Sequence, residues 1–235
     1  MVNATPDGAE MPATVFTDTI RFIKAQGVPF LMMSGGEPTE HTEVLDYIDY
    51  AAREGIQTLL LSNGEFLHGK SPTFRDAVLE AVLGVQVTND PRFYPRHVER
   101  FEHPKVVWET QIRAVSPHGR ARDNGLATPR LGPECFNLRS LVRSTGSFLA
   151  ARAHLIALGK MCTPSVNVDG SISAGESPSC NKIGYVTDSI DTIEHNIQIM
   201  RCSRCGLIDT MSQAHKRAVG ESALFLPGEA ICGNE

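Results

Sequence analysis

The sequence predicts an α/β fold built on a parallel sheet, followed by a smaller cysteine-rich unit. Four observations carry that expectation. The segments "FIKAQGVPFLMMSGG", "AAREGIQTLLLSNG" and "LEAVLGVQVTND" share one grammar, in which a helix ends on glycine and runs directly into an apolar strand. Their glycines, Gly27, Gly55 and Gly84, recur every 28 or 29 residues, the spacing of βα units joined by right-handed crossovers. The strands are continuous apolar runs, which suits a parallel sheet covered on its faces. Finally, all six cysteines lie after residue 134.

The elements follow in order. Phe16, Ile20 and Ile23 fall on one face of a first helix, Val44, Tyr47, Ile48 and Ala51 on one face of a second, and Phe74, Val78 and Val82 on one face of a third. Each of the three glycines is expected to take the left-handed conformation that caps the helix before it. The loops after the strands are "SGGEPTEH", "SNGEFLHG" and "TNDPRFYP", at the strand ends where parallel sheets bind ligands. A fourth strand is expected in "KVVWETQIRAV". Past residue 125 glycine, proline and serine become frequent. A helix is expected in "GSFLAARAHLIALGK", and "CTPSVNVDGSISAG" reads as a hairpin turning at Asp169-Gly170. A last helix, "DSIDTIEHNIQIM", puts Ile190, Ile193, Ile197 and Met200 on one stripe and delivers the chain to "CSRC". The boundary is placed near residue 130, giving a sheet unit over 1–130 and a cysteine-rich unit over 131–235.

With 41% hydrophobic and 21% charged residues, the composition is that of an ordinary globular protein. A net charge of -5 gives no electrostatic reason to expect nucleic acid or an anionic membrane as partner. No apolar run approaches the about 20 residues needed to cross a bilayer, and no secretory signal is visible at the N-terminus. The expected location is cytoplasmic, where the six cysteines are expected to be thiols or metal ligands and not disulfides.

Two glycines and a glutamate after an apolar strand, "LMMSGGEPTE", make a turn where a ligand can lie against bare backbone. Ser34-x-x-Glu37 also fits a helix capping box, and paired glycines can simply let a strand turn. For Ser62 and Asn63 the alternative is likewise an ordinary turn, with Asn63-Gly64 at positive φ. His41, His68, His97 and His118 lie near strand ends but share no metal-ligand spacing.

The stretch "LMMSGGEPTEHTEVLDYIDYAAREGIQTLLLSNG" closely resembles the radical S-adenosylmethionine (SAM) enzymes, in which a Gly-Gly-Glu-Pro loop holds the amino group of SAM. "LSNG", "QVTND" and "PHGRA" follow in that family's order. The resemblance implies a partial (βα) TIM-like barrel of the radical SAM type. It implies that Gly35, Gly36 and Glu37 bind the methionine end of SAM, that Ser62 and Asn63 line the same mouth, and that Thr88, with Asp90 near it, meets the ribose. Arg120 is placed to meet a carboxylate or to stay in solvent. The resemblance identifies no catalytic side chain.

The second half resembles the module called SPASM, or twitch in shorter form, which carries an auxiliary 4Fe-4S cluster. Cys162, Cys180, Cys202 and Cys205 are the implied ligands, with Cys135 as substitute or fifth and Cys232 as a free thiol. Thiolates suit iron–sulfur clusters or zinc, so zinc stays open as the alternative. The usual cysteine about five residues past the hairpin glycine is replaced by Gly175.

Radical SAM chemistry also needs a Cys-x-x-x-Cys-x-x-Cys loop holding the cluster that binds SAM, and this sequence has no cysteine before Cys135. The start at Met1 coincides with the end of that missing loop, which favours a fragment of a normal enzyme over a true short relative. In complete form the family cleaves SAM reductively to a 5′-deoxyadenosyl radical for hydrogen abstraction. A peptide or protein substrate and a reductant such as flavodoxin or ferredoxin are the expected partners. This chain is expected to be inactive alone, and whether it is an enzyme stays open. The other expectation is a non-catalytic binding or scaffold protein with a cysteine-ligated zinc or iron–sulfur site.

Overall fold

The computed structural model describes residues 8–90, 94, 96–109, 125, 146, 164–175 and 181–199. All six cysteines, His118, Arg120, Met200 and, apart from Gly146, the helix expected over 146–160 lie outside them. The chain forms two compact units.

The first unit runs α1 (Ala13–Ala25), β1 (Phe30–Met33), a 3-10 turn (Pro38–Glu40), α2 (Val44–Arg53), β2 (Gln57–Ser62), α3 (Phe66–Gly69), α4 (Pro72–Ala81), β3 (Gly84–Thr88) and β4 (Val106–Glu109). The four strands form one parallel sheet in the order β1-β2-β3-β4. Because all run the same way, their C-terminal ends share one edge. Register puts Met33 beside Leu60, Leu60 beside Val85, and Ser62 beside Val87. These residues face the covering helices, where Leu60, Val85 and Val87 pack with Val44, Ile48, Phe66 and Val78. A second cluster joins Phe16 and Ile20 of α1 to Tyr47, Ala51 and Ile56. The stripes expected on the first two helices and Val78 of the third are buried, except that Ile23 and Phe74 are only partly so, and Val82 lies just past the end of α4. The opposite sheet face leaves Met32 and Val107 exposed. The short α3, inside the loop after β2, has no counterpart in the sequence expectations.

Two of the three expected glycine caps form. At the end of α1, Gly27 has φ +65°, its N–H donates to Lys24 O at 2.9 Å, and Val28 N–H donates to Ile23 O at 3.0 Å. At the end of α2, Gly55 (φ +80°) and Ile56 repeat this pattern on Ala52 and Ala51. These are paired Schellman bonds, with apolar Val28 and Ile56 buried beyond them. The third expectation is corrected. Gly84 is the first residue of β3 and does not have positive φ, and α4 ends on an extended Val82. The carbonyls of Leu79, Glu80 and Val82 are instead collected by the Lys105 ammonium at 2.8, 2.9 and 2.8 Å. A cation at a helix C-terminus also complements the helix dipole.

The chain ahead of α1 is tied to the region after the 3-10 turn. The Met11 carbonyl accepts from the Tyr47 hydroxyl at 2.7 Å, and Glu43 Oε2 lies 3.2 Å from the same hydroxyl. His41 Nδ1 accepts from the Glu43 backbone N–H at 3.0 Å, so its proton sits on Nε2, which donates to Met11 O at 3.1 Å. Burial, with the Glu43 carboxylate beside it, pushes the Tyr47 phenol up to about 12.

In the second unit β5 (Ser165–Val166), β6 (Ser171–Ser173) and β7 (Lys182–Tyr185) form an antiparallel sheet, followed by α5 (Ile190–Ile199). The hairpin turns at Asp169-Gly170 as expected, with Asp169 Oδ1 accepting from the Ser171 N–H at 2.9 Å. Ile193 and Ile197, two of the four residues of the expected stripe, are fully buried.

Two outcomes follow from these contacts. Lys105→Met keeps the apolar stem but strands three carbonyls, and should lower stability by about 1–3 kcal/mol in urea unfolding. Tyr47 keeps its proton in the folded chain to higher pH than when unfolded, so its contribution is complete below about pH 10 and is lost as pH rises toward about 12. Tyr47→Phe should therefore flatten the alkaline side of the stability–pH curve relative to the parent chain.

Candidate functional site

The site lies where β1, β2 and β3 end. After Met33 the chain leaves the sheet through Ser34, Gly35 and Gly36, all exposed, and enters the 3-10 turn at Glu37. The capping box that Ser34 and Glu37 suggested does not form. Glu37 is itself the N-cap of the 3-10 turn, and its side chain accepts from Thr39 N at 3.2 Å and Thr39 Oγ1 at 2.7 Å. Gly35 has φ +154°, a conformation that disfavours any side chain. Gly36 does not have positive φ, and a Cβ at either glycine would meet no other atom within 4 Å.

The Glu37 carboxylate also crosses to the next strand. Its Oε1 accepts from Ser62 Oγ at 2.9 Å, and its Oε2 accepts from Asn63 N at 2.7 Å. Ser62 is 1% exposed, and its hydroxyl in turn accepts from Gly64 N at 2.9 Å. The Asn63 side chain folds onto its own loop, taking the Glu65 N–H at 2.8 Å. The expected positive φ in that turn is at Gly64 and not at Asn63. The structure thus brings Glu37, Ser62 and Asn63 into direct contact, with Gly35 and Gly36 immediately before them.

Thr88 ends β3 at the same edge, in register with Glu109. Two participants were not singled out in the sequence. Asn89, buried beside Thr88, donates through Nδ2 toward Asn63 O at 3.4 Å and Arg96 O at 3.5 Å, and accepts from Val98 N at 3.5 Å. Its signal was the amide side chain inside "QVTND". Thr39, 2% exposed, supplies two of the four donors on Glu37, and its signal was a hydroxyl directly after Glu-Pro. Asp90 is 1% exposed and engaged.

Among the described residues, His41, His68 and His97 make no common site. His41 is committed at both nitrogens, and His68 Nε2 lies 2.9 Å from Glu99 O. Among the described residues no group of three or more His, Cys, Asp or Glu side chains is placed to hold a metal. The expected ligands Cys162, Cys180, Cys202 and Cys205, with Cys135, lie outside those residues. No helix among the described residues is long and apolar enough to cross a membrane.

The sequence matches no known protein-family model. No curated protein matches it either. Among solved structures the chain is similar to BtrN in an open conformation, with a TM-score of 0.48 and 11% identity over 100% of this chain and 88% of that one. It is also similar to BtrN in complex with AdoMet and 2-DOIA, with a TM-score of 0.48 and 12% identity over 98% of this chain and 82% of that one.

Gly35→Ala forces a side chain into a glycine-only region and should destabilise the chain by about 1–3 kcal/mol, read by urea unfolding.

Proposed function

We propose that this chain is a radical SAM family protein whose sheet unit binds SAM at the loop Gly35–Glu37, against the end of β2. One observation carries the reading. The fold accounts for Gly35 through its backbone conformation, but it asks for no glycine at Gly36, where φ is not positive and an added Cβ would meet nothing outside its chain neighbours within 4 Å. A second glycine there is useful to something that approaches the backbone from outside. The site residues fit the methionine end of SAM. They offer exposed backbone at Gly35 and Gly36, on a loop held by the Glu37 carboxylate. Asn63 shares the mouth, and Thr88 stands at the same edge for the ribose.

SAM, in a complete protein of this family, supplies the radical for hydrogen abstraction, with a peptide or protein substrate and a flavodoxin- or ferredoxin-type reductant as partners. Within this chain the residues' work is to bind and orient SAM, and no radical step is assigned to them. Residues 131–235 form a SPASM- or twitch-like unit in this reading. There Cys162, Cys180, Cys202 and Cys205 hold an auxiliary 4Fe-4S cluster, thiolates being the donors such clusters take.

A second reading keeps the fold but makes the chain a non-catalytic binding or scaffold protein, with zinc or an iron–sulfur cluster on the same cysteines. Metal and acid-labile sulfide analysis separates zinc from iron.

Calorimetric titration of the 235-residue chain with SAM tests the main reading. Gly36→Ala should leave stability unchanged or raise it by up to about 1 kcal/mol, since it removes glycine's unfolded-state freedom, while weakening SAM binding. Unchanged binding in that variant, or none in the parent, sinks the reading. With dithionite as reductant the parent should release no 5′-deoxyadenosine.

A further inference from the structure

We propose that Glu37 and Ser62 are positioning residues. Together they latch the glycine loop after β1 to the end of β2, and they serve a bound ligand through that spacing and not by touching it. For its affinity readout alone, the inference rests on SAM being the ligand of the loop.

The donor geometry leads there. Glu37 Oε1 already receives three donors, Thr39 N, Thr39 Oγ1 and Ser62 Oγ, while Oε2 receives Asn63 N. All four donors are main-chain N–H groups or hydroxyls of buried residues, Thr39 and Ser62. The Ser62 hydroxyl is 1% exposed and spends both its roles internally, donating to Glu37 and accepting from Gly64 N. A hydroxyl so enclosed cannot meet a ligand, yet removing it releases one arm of the carboxylate that fixes the glycine loop. A charged acceptor that gathers several N–H and O–H donors is among the stronger ties available to two loops. Chemically, the latch needs an acceptor at both oxygens. An amide in its place keeps one acceptor and turns N–H groups toward either Asn63 N or the Ser62–Thr39 donors.

The experiment uses the full 235-residue chain with three variants, Glu37→Gln, Ser62→Ala and the double variant. Site-resolved amide exchange is measured without ligand, SAM affinity by calorimetry, and global stability by urea unfolding. The expected result is faster exchange at Gly35, Gly36 and Asn63 in each single variant. SAM affinity should fall about tenfold, equivalent to about 1.4 kcal/mol, in Ser62→Ala as well as in Glu37→Gln. In the double variant the losses should not add, as expected when two residues act as one unit. Amides of α1 and α2 should keep their protection, which a general loss of stability would not allow. The proposal is overturned if Ser62→Ala leaves the exchange of Gly35 and Gly36 unchanged. It is overturned equally if only Glu37→Gln weakens SAM binding, since that marks Glu37 as a direct contact. Should the parent chain bind no SAM, the SAM reading fails by itself, and the exchange result alone decides the latch.

Discussion

The carboxylate of Glu37 is the tie on which the geometry of the sheet's C-terminal edge depends. A parallel sheet leaves that edge as a row of loops, each free to take its own course once its strand ends. The first loop here contains two consecutive glycines, the residue with the most backbone freedom to lose. Holding such a loop requires something stronger than a neutral turn bond. Glu37 supplies it by accepting from its own turn through Thr39 and from the neighbouring strand end through Ser62 and Asn63. The Asn89 amide then reaches Asn63 from the third strand end, at longer range. Three strand ends are joined in sequence by side chains that begin at one carboxylate.

The same logic of borrowing from a neighbour closes the helices. Where a helix ends on a left-handed glycine, its last carbonyls are satisfied within five residues, as at Gly27 and Gly55. α4 ends without that device, and its carbonyls wait for Lys105, which arrives just before β4. The third βα unit is therefore complete only when the fourth strand is in place. That long-range dependence makes the sheet cooperative across β3 and β4 in a way that α1 and α2, with their local caps, do not require.

This distinction explains what the sequence disclosed. Strands and helices were legible because their apolar stripes are local and periodic. Phe16, Ile20, Val44, Ile48 and Val78 are buried where the period put them. Gly27 and Gly55 were legible as caps for the same reason. Gly84 shared their spacing but not their role, because the residue that replaces its cap lies 21 positions further along. Ser34 and Glu37 matched a capping box in spacing, but the chain bends between them at Gly35 and Gly36, and Glu37 is itself the cap of the 3-10 turn. At the site, the loop Gly35–Glu37 and the pair Ser62–Asn63 were named from motif. That the glutamate crosses to the serine was not legible, because contacts across 25 residues carry no local signal.

Ser62 shows how closely the site is coupled to the core. It sits in β2 on the same face as Leu60 and in register with Val87, both fully buried in the cluster beneath α2 and α4. Its hydroxyl leaves that face to reach Glu37. The position of the glycine loop is thus set by a side chain whose own position is set by apolar packing. Close-packed interiors transmit small shifts, so an altered volume at Leu60 or Val87 displaces Ser62, and with it the carboxylate that holds Gly35 and Gly36. A loop of bare backbone has no side chain of its own to adjust. Its precision comes from the sheet below, through one serine and one glutamate.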